Sequence, residues 1–290
     1  MKFTITNFRE MFPNDDVCLK TIMHIRYGNI KKCPKCKKET KFHRVKKRTC
    51  YECQWCGYQI YPTKGTIFEK TTTPLNLWFY AIYLMTATRS GVSAREIHRQ
   101  LGVTYKCAWR IAHQIRSLMG NNLHVKFSGN VEIDDTYIGG KGKGKRGRGA
   151  EKKTIVLGIL ERKGDVKGEV VKNMKKDTIT PIIKDNIITG ARISTDEFSS
   201  YRNLKKEGYF HDYVKHSIKE YVKGDCHIQS IEGFWSRLKN SISGTHIWVS
   251  KKHLQKYIDE FAFRYNQRGN GNFMFFELLT HLNKPYESIH

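Results

Sequence analysis

Between Pro74 and Met119 the apolar residues recur at helical spacing. "TPLNLWFYAIYLM" opens with a capping threonine and a proline in the first turn, then runs apolar. "SGVSAREIHRQLGVTYKCAWRIAHQIRSLM" predicts helix, turn and helix, with Ser93 and Glu96 as a capping box. Leu101-Gly102-Val103 forms the turn, and Thr104 caps the second helix. After the polar stretch "NNLHVKFSGN" the pattern changes to alternation. "NVEIDDTYIGG", "KKTIVLGILERKG" and "GEVVKNM" predict strands, and "DTITPIIKDNII" predicts a helix. "ARISTDEFSSY" follows as a strand that ends in Asp196. "CHIQSIEGFWSRLK" is an amphipathic helix with Ile231, Trp235, Leu238 and Ile242 on one stripe. Strands, a helix, a further strand and then helices predict an α/β unit, a mixed sheet flanked by helices.

Eight cysteines add a second feature. Cys33 and Cys36 form one CxxC, and Cys53 and Cys56 another, with 16 residues between Cys36 and Cys53. That spacing suits a four-thiolate structural Zn²⁺ site of zinc-ribbon type. Cys50 also stands three residues before Cys53, but "CGY" continues the Cys53–Cys56 knuckle as a ribbon normally does. Cys18, Cys107 and Cys226 are isolated and are read as packed or incidental. The expected divisions are 1–73 with the ribbon at about 30–62, a helical helix-turn-helix segment at 74–122, and the α/β domain at 123–290.

The charge then narrows the partner. Lys and Arg total 52 against 27 Asp and Glu, a net charge of +25, which points to a polyanion. No apolar run is long enough to span a bilayer and "MKFTITNFREMF" does not read as a secretory signal, so a soluble, intracellular protein is expected. DNA contacts are expected from Lys106, Arg110, His113 and Arg116 on the second helix of the helix-turn-helix, beside Tyr105. Lys143, Lys145 and Arg146, in the basic loop "GGKGKGKRGRG", are expected to add more. That loop partly matches a nucleotide-binding P-loop, but Arg146 stands where Ser or Thr would hold Mg²⁺ and the segment leads into a strand.

Asp134 lies within a strand expected to be half-buried, a costly place for a carboxylate that binds no cation. Asp196 ends a later strand, and Glu232 follows 35 residues on, in the amphipathic helix. Three acids on two strands and a helix can converge at one sheet edge and hold two Mg²⁺ for in-line phosphoryl transfer. Lys239 lies seven residues after Glu232, two helical turns along the same face.

"VEIDDTYIGGK", "STDEFSSY", "HIQSIEGFWSRLK" and "KKHLQKYIDEFAFRYNQR" resemble the successive motifs of bacterial insertion-sequence transposases related to the eukaryotic Merlin elements. The resemblance implies a zinc ribbon, a helical region after "GTIF", and an RNase H-like catalytic domain with a DDE-type triad. It implies Asp134, Asp196 and Glu232 as metal ligands for two Mg²⁺ (or Mn²⁺) ions, with Lys239 as the basic residue after the triad. Two positions depart from the pattern: Asp135 stands where the family often has Glu, and Gln229 where it often has Asn. Some members use that Asn as the third ligand, so Gln229 stands beside Glu232 as the alternative or as a supporting catalytic residue. The implied partner is double-stranded DNA, both element ends and target, bound by a homodimer or higher oligomer in a bacterial cytoplasm. The implied reaction is cleavage and strand transfer at terminal inverted repeats. A catalytically silent DNA-binding regulator and a structure-specific nuclease on the same fold are the competing readings.

Overall fold

The computed structural model describes residues 3–120, 126–139, 153–271 and 273–283. They form two compact units, Met1–Asn121 with Asn270–His290, and Asn122–Gly269. The described residues after Gly269 cluster with the N-terminal unit and not with the rest of the 123–290 division expected from sequence.

The first unit begins with α1 (Ile5–Met11) and α2 (Asp15–Tyr27). Thr4 and Asn14 cap them by accepting from the N–H groups of Asn7 and Val17. The ribbon follows as three antiparallel strands, β1 (Phe42–Arg44), β2 (Tyr51–Cys53) and β3 (Gln59–Ile60), with β2 central. Helix α3 (Leu75–Ala87) buries Trp78, Phe79, Ile82 and Met85. No threonine side chain caps it; Asp15 of α2 accepts from the Asn76 N–H at 2.9 Å instead. Helices α4 (Ala94–Leu101) and α5 (Tyr105–Gly120) meet across Gly102, whose φ of 66° is the left-handed conformation glycine adopts without a Cβ clash. Ser93 caps α4, but the Glu96 carboxylate turns to Arg99 and Gln100, so only half of the expected capping box forms. Thr104 caps α5 through the Cys107 N–H. The unit closes with α9 (Met274–Thr280), whose Phe275 packs against Phe3, Phe8, Phe12 and Phe79.

The second unit is a five-stranded sheet, made of β4 (Asn130–Ile138), β5 (Thr154–Glu161), β6 (Val166–Val171), β7 (Arg192–Thr195) and β8 (Phe210–Tyr213). Its order is β6-β5-β4-β7-β8. The first three strands form an antiparallel meander, and β4, β7 and β8 run parallel. One face packs on α6 (Lys176–Asn186) through Val131, Ile133, Leu157, Ile179 and Ile183. The other packs on α7 (Gln229–Ser241) and α8 (Leu254–Asn266) through Val156, Leu160, Ile231, Trp235 and Ile258. This order and layering make the unit RNase H-like, a mixed sheet flanked by helices. Strand alternation explains the two faces: Val131 and Ile133 point to α6, so Glu132 and Asp134 point to the α7 side. Two acids on a packed face mark where the sheet departs from ordinary core chemistry.

Candidate active site

Strand register brings the first two acids together. Glu132 pairs with Ser194 in the parallel β4–β7 ladder, and two further residues along, Asp134 comes level with Asp196 just past the end of β7. The carboxylates of Asp134, Asp135 and Asp196 each place an oxygen within 4.8 Å of the others, a group that can hold a metal ion. Asp134 is half-buried, and its pKa is pushed up to about 7, first by burial and then by the charges of Asp135, Asp196 and Glu232. A bound cation would relieve that crowding, so the residues fit a divalent metal. Asp135, which the resemblance set aside, is therefore within reach of the same site. Asp196 also accepts from the Phe198 N–H at 3.0 Å, which fixes the turn after β7.

Glu232 is exposed on α7 and does not join the 4.8 Å group, although its charge contributes to the shift at Asp134. Gln229 is exposed at the first residue of α7. Lys239, two turns beyond Glu232, has its pKa lowered by burial, partly offset by the attraction of Asp134 and reinforced by the repulsion of Lys153. Lys239 is thus exposed and within the field of Asp134.

The sequence reading missed the device that seats α7. Glu132 is 0% exposed. Its carboxylate accepts from the backbone N–H groups of Ser230 at 2.9 Å and Ile231 at 3.0 Å, and from the Ser230 hydroxyl at 3.0 Å. The two N–H groups are orphan donors of the first turn of α7, so a strand carboxylate caps a helix almost a hundred residues later. Arg162, which follows β5, donates from Nε to Glu132 at 2.8 Å. It also reaches the carbonyls of Asp225 at 2.6 Å and His227 at 2.8 Å. One guanidinium therefore ties the meander to the segment entering α7. Gly158, opposite Asp134 on β5, completes the fit: a Cβ there would lie 2.3 Å from Trp235 and 2.8 Å from Ile231. The signals in the sequence were a second acid two residues before Asp134 and a glycine inside an apolar strand.

The ribbon gathers Cys33, Cys36, Cys53 and Cys56 within 4.8 Å, as a tetrahedral zinc site requires. The two knuckles repeat each other. The N–H groups of Lys37 and Gly57 donate to the carbonyls of Cys33 and Cys53, and Lys37 and Gly57 have φ of 61° and 65°. Cys50 is buried but stands outside the group, which settles the choice between Cys50 and Cys56 in favour of Cys56.

On α5 the expected basic surface is only half present. Lys106 and Arg110 are exposed, with Tyr105 and Trp109. His113 and Arg116 are 4% and 1% exposed, which corrects their placement on the outer face. Arg116 donates to the Val92 carbonyl, and the His113 ring lies 3.9 Å from that of Trp109. Packing around most of α5 takes in positions that a one-sided helix would leave in water. Lys143, Lys145 and Arg146 lie outside the described residues. Among the described residues, no helix is long and apolar enough to cross a membrane.

Comparison with known proteins completes the picture. Residues 126–266 match the family described as ISXO2-like transposase domain, and residues 13–59 match the transposase zinc-ribbon domain. An uncharacterized protein in transposable element ISH50 of Halobacterium salinarum is 30% identical, covering 87% of this chain and 91% of its own. An uncharacterized transposase-like protein of Haemophilus influenzae is 28% identical, over 33% of this chain and 77% of its own. A chain in the crystal structure of a pre-cleavage Mos1 transpososome is 11% identical over 72% of this chain and 79% of that one, with a TM-score of 0.28. The first relative is matched along nearly its whole length, and both domains have their own counterparts: the chain belongs to the insertion-sequence transposases that join a zinc ribbon to an ISXO2-like transposase domain.

Proposed function

We propose that the chain binds the terminal inverted repeats of its element and catalyses metal-dependent cleavage and strand transfer there. The observation that carries this reading is the meeting of Asp134 and Asp196 at adjacent ends of parallel strands, with the pKa of Asp134 raised first by burial and then by the neighbouring acids. Asp134, Asp196 and Glu232 are proposed to hold two Mg²⁺ or Mn²⁺ ions, with Asp135 and Gln229 as nearby donors. Such ions supply Lewis-acid stabilisation of a phosphoryl oxygen and a more acidic water or 3′-hydroxyl.

The chain's own residues do the rest. Glu132 and Arg162 hold the first turn of α7 on the sheet, which keeps Glu232 on the side of the two aspartates. Lys239 is proposed to pair with a DNA phosphate beside the acids, where its charge balances the added anion. Lys106 and Arg110 on α5, and the basic zinc ribbon, are proposed to carry recognition, and Asn122–Gly269 to carry chemistry. The partner is double-stranded DNA, engaged by two or more copies.

The test uses purified full-length protein and duplexes carrying the DNA that flanks this reading frame. Selective gel shift of one flanking sequence, and Mg²⁺-dependent cuts at its boundary, are expected. A fragment of residues 122–269 should lose selectivity and keep a weak, salt-sensitive affinity. Selective binding with no cutting in any divalent metal would favour a silent regulator instead.

A further inference from the structure

The segment joining α7 to α8 carries an exposed apolar tip, Ile247 and Trp248. Residues Ile242–His246 form a π-helical turn, and Ile247 follows with φ 64° and ψ −54°. The Trp248 N–H donates to the His246 carbonyl at 2.7 Å, closing a γ-turn centred on Ile247. This form of γ-turn is rare and strained, and a β-branched residue at positive φ adds to the cost. The turn presents Ile247 at 84% exposure and Trp248 at 65%, two large apolar side chains in water.

The tip is built, not frayed. Ile242 is buried before it, and Val249 packs against the same core after it. The His246 ring meets Tyr257 of α8 edge-on with centroids 4.8 Å apart. Packing on both sides therefore maintains the strain, the situation in which strained backbone marks a functional element.

The charge around the tip selects its partner. No acidic residue occurs between Glu232 and Asp259, while Arg237, Lys239, Lys251, Lys252 and Lys256 all do. A second copy of a chain carrying +25 would meet that segment with like charge. A nucleic acid duplex meets it with phosphates, and apolar side chains on a cationic surface enter DNA between base pairs. We infer that Ile247 and Trp248 form an apolar wedge that enters a base step of the bound DNA duplex, next to the helix that carries Glu232. The inference rests on the proposed DNA cleavage function and adds a distortion of the substrate to it.

The test is a scan of 2-aminopurine along a duplex of the flanking DNA, bound by the full chain. Unstacking at one step should raise the fluorescence there. Trp248→Ala should abolish that signal and weaken binding on the order of tenfold to a hundredfold, the range for loss of one aromatic–base stack. An abasic site at the same step should restore most of the lost affinity, because unstacking is then already done. Ile247→Gly, which relieves the backbone, should keep or raise the thermal midpoint while reducing the signal. A gel shift by wild type with no step brightened overturns the wedge and leaves the DNA-binding reading standing. Absence of any shift by wild type overturns both. Conversion of a dimer to a monomer by Trp248→Ala without DNA, seen by sedimentation, assigns the tip to a protein contact and also overturns the wedge.

Discussion

Replacing Glu132 with Gln isolates the contact that seats the proposed catalytic helix. The side chain keeps its shape but loses the charge that accepts from Arg162, Ser230 and Ile231. A glutamine must also turn its amide nitrogen toward one of those donors, since Arg162, Ser230 and Ile231 all donate. Removing one member of a buried ion pair costs about 3–5 kcal/mol, because the other charge is left uncompensated. Against a total of roughly 5–15 kcal/mol the protein stays folded but is much weakened. Urea unfolding of the full chain, followed by far-ultraviolet circular dichroism, measures the loss. Adding Arg162→Met should recover part of it, since no orphaned guanidinium then remains near the sheet. DNA binding should be nearly kept while cleavage falls, because the first turn of α7 is released. A loss below about 1 kcal/mol would refute the reasoning, as would a double variant weaker than the sum of its parts.

Chelating zinc should melt the ribbon from Cys33 to Cys56 while the five-stranded sheet stays folded, and metal analysis should find about one zinc per chain. Undiminished zinc in Cys33→Ser/Cys53→Ser protein would contradict the site. His211 on β8 is 4% exposed and its pKa is lowered to about 4, by burial first and then by Lys205. Its neutral ring, 2.9 Å from the Thr195 hydroxyl, contributes stability that is complete above the unfolded pKa of about 6.5 and is lost as the pH falls from there to about 4. His211→Gln should flatten that part of the stability–pH curve by up to about 3 kcal/mol, measured by urea unfolding at each pH.

The parts legible in the sequence were those whose cause is local. Paired CxxC motifs, the strand alternation around Asp134, and the apolar stripe Ile231, Trp235, Leu238 of α7 all follow from short-range spacing. The first was then settled by Lys37 and Gly57, which repeat one knuckle geometry and leave Cys50 outside. Glu132 was missed because its partners, Ser230 and Ile231, lie far along the chain, and no local pattern links a strand carboxylate to a later helix terminus. His113 and Arg116 were placed in water because a helical wheel shows one helix and not the elements packed around it. The strand Phe210–Tyr213 escaped because "FHDY" alternates weakly and lies at the sheet edge, where one exposed face tolerates polar residues. Asp15 took over the capping of α3 for the same reason as Glu132: a distant carboxylate met a helix start.

The central claim is that Asp134, Asp196 and Glu232 form one metal-dependent cleavage site. Its most direct test is Mg²⁺-dependent nicking of a labelled end duplex by Asp134→Asn, Asp196→Asn and Glu232→Gln, beside Gln229→Ala and a gel-shift control. The account predicts that each acid variant loses nicking by several orders of magnitude, roughly the cost of removing a metal-holding charge, while still binding the duplex. Gln229→Ala should lose much less, because a neutral amide offers only a dipole. Normal nicking by Glu232→Gln with a dead Gln229→Ala would make Gln229 the third ligand, and normal nicking by Asp134→Asn or Asp196→Asn would contradict the site itself.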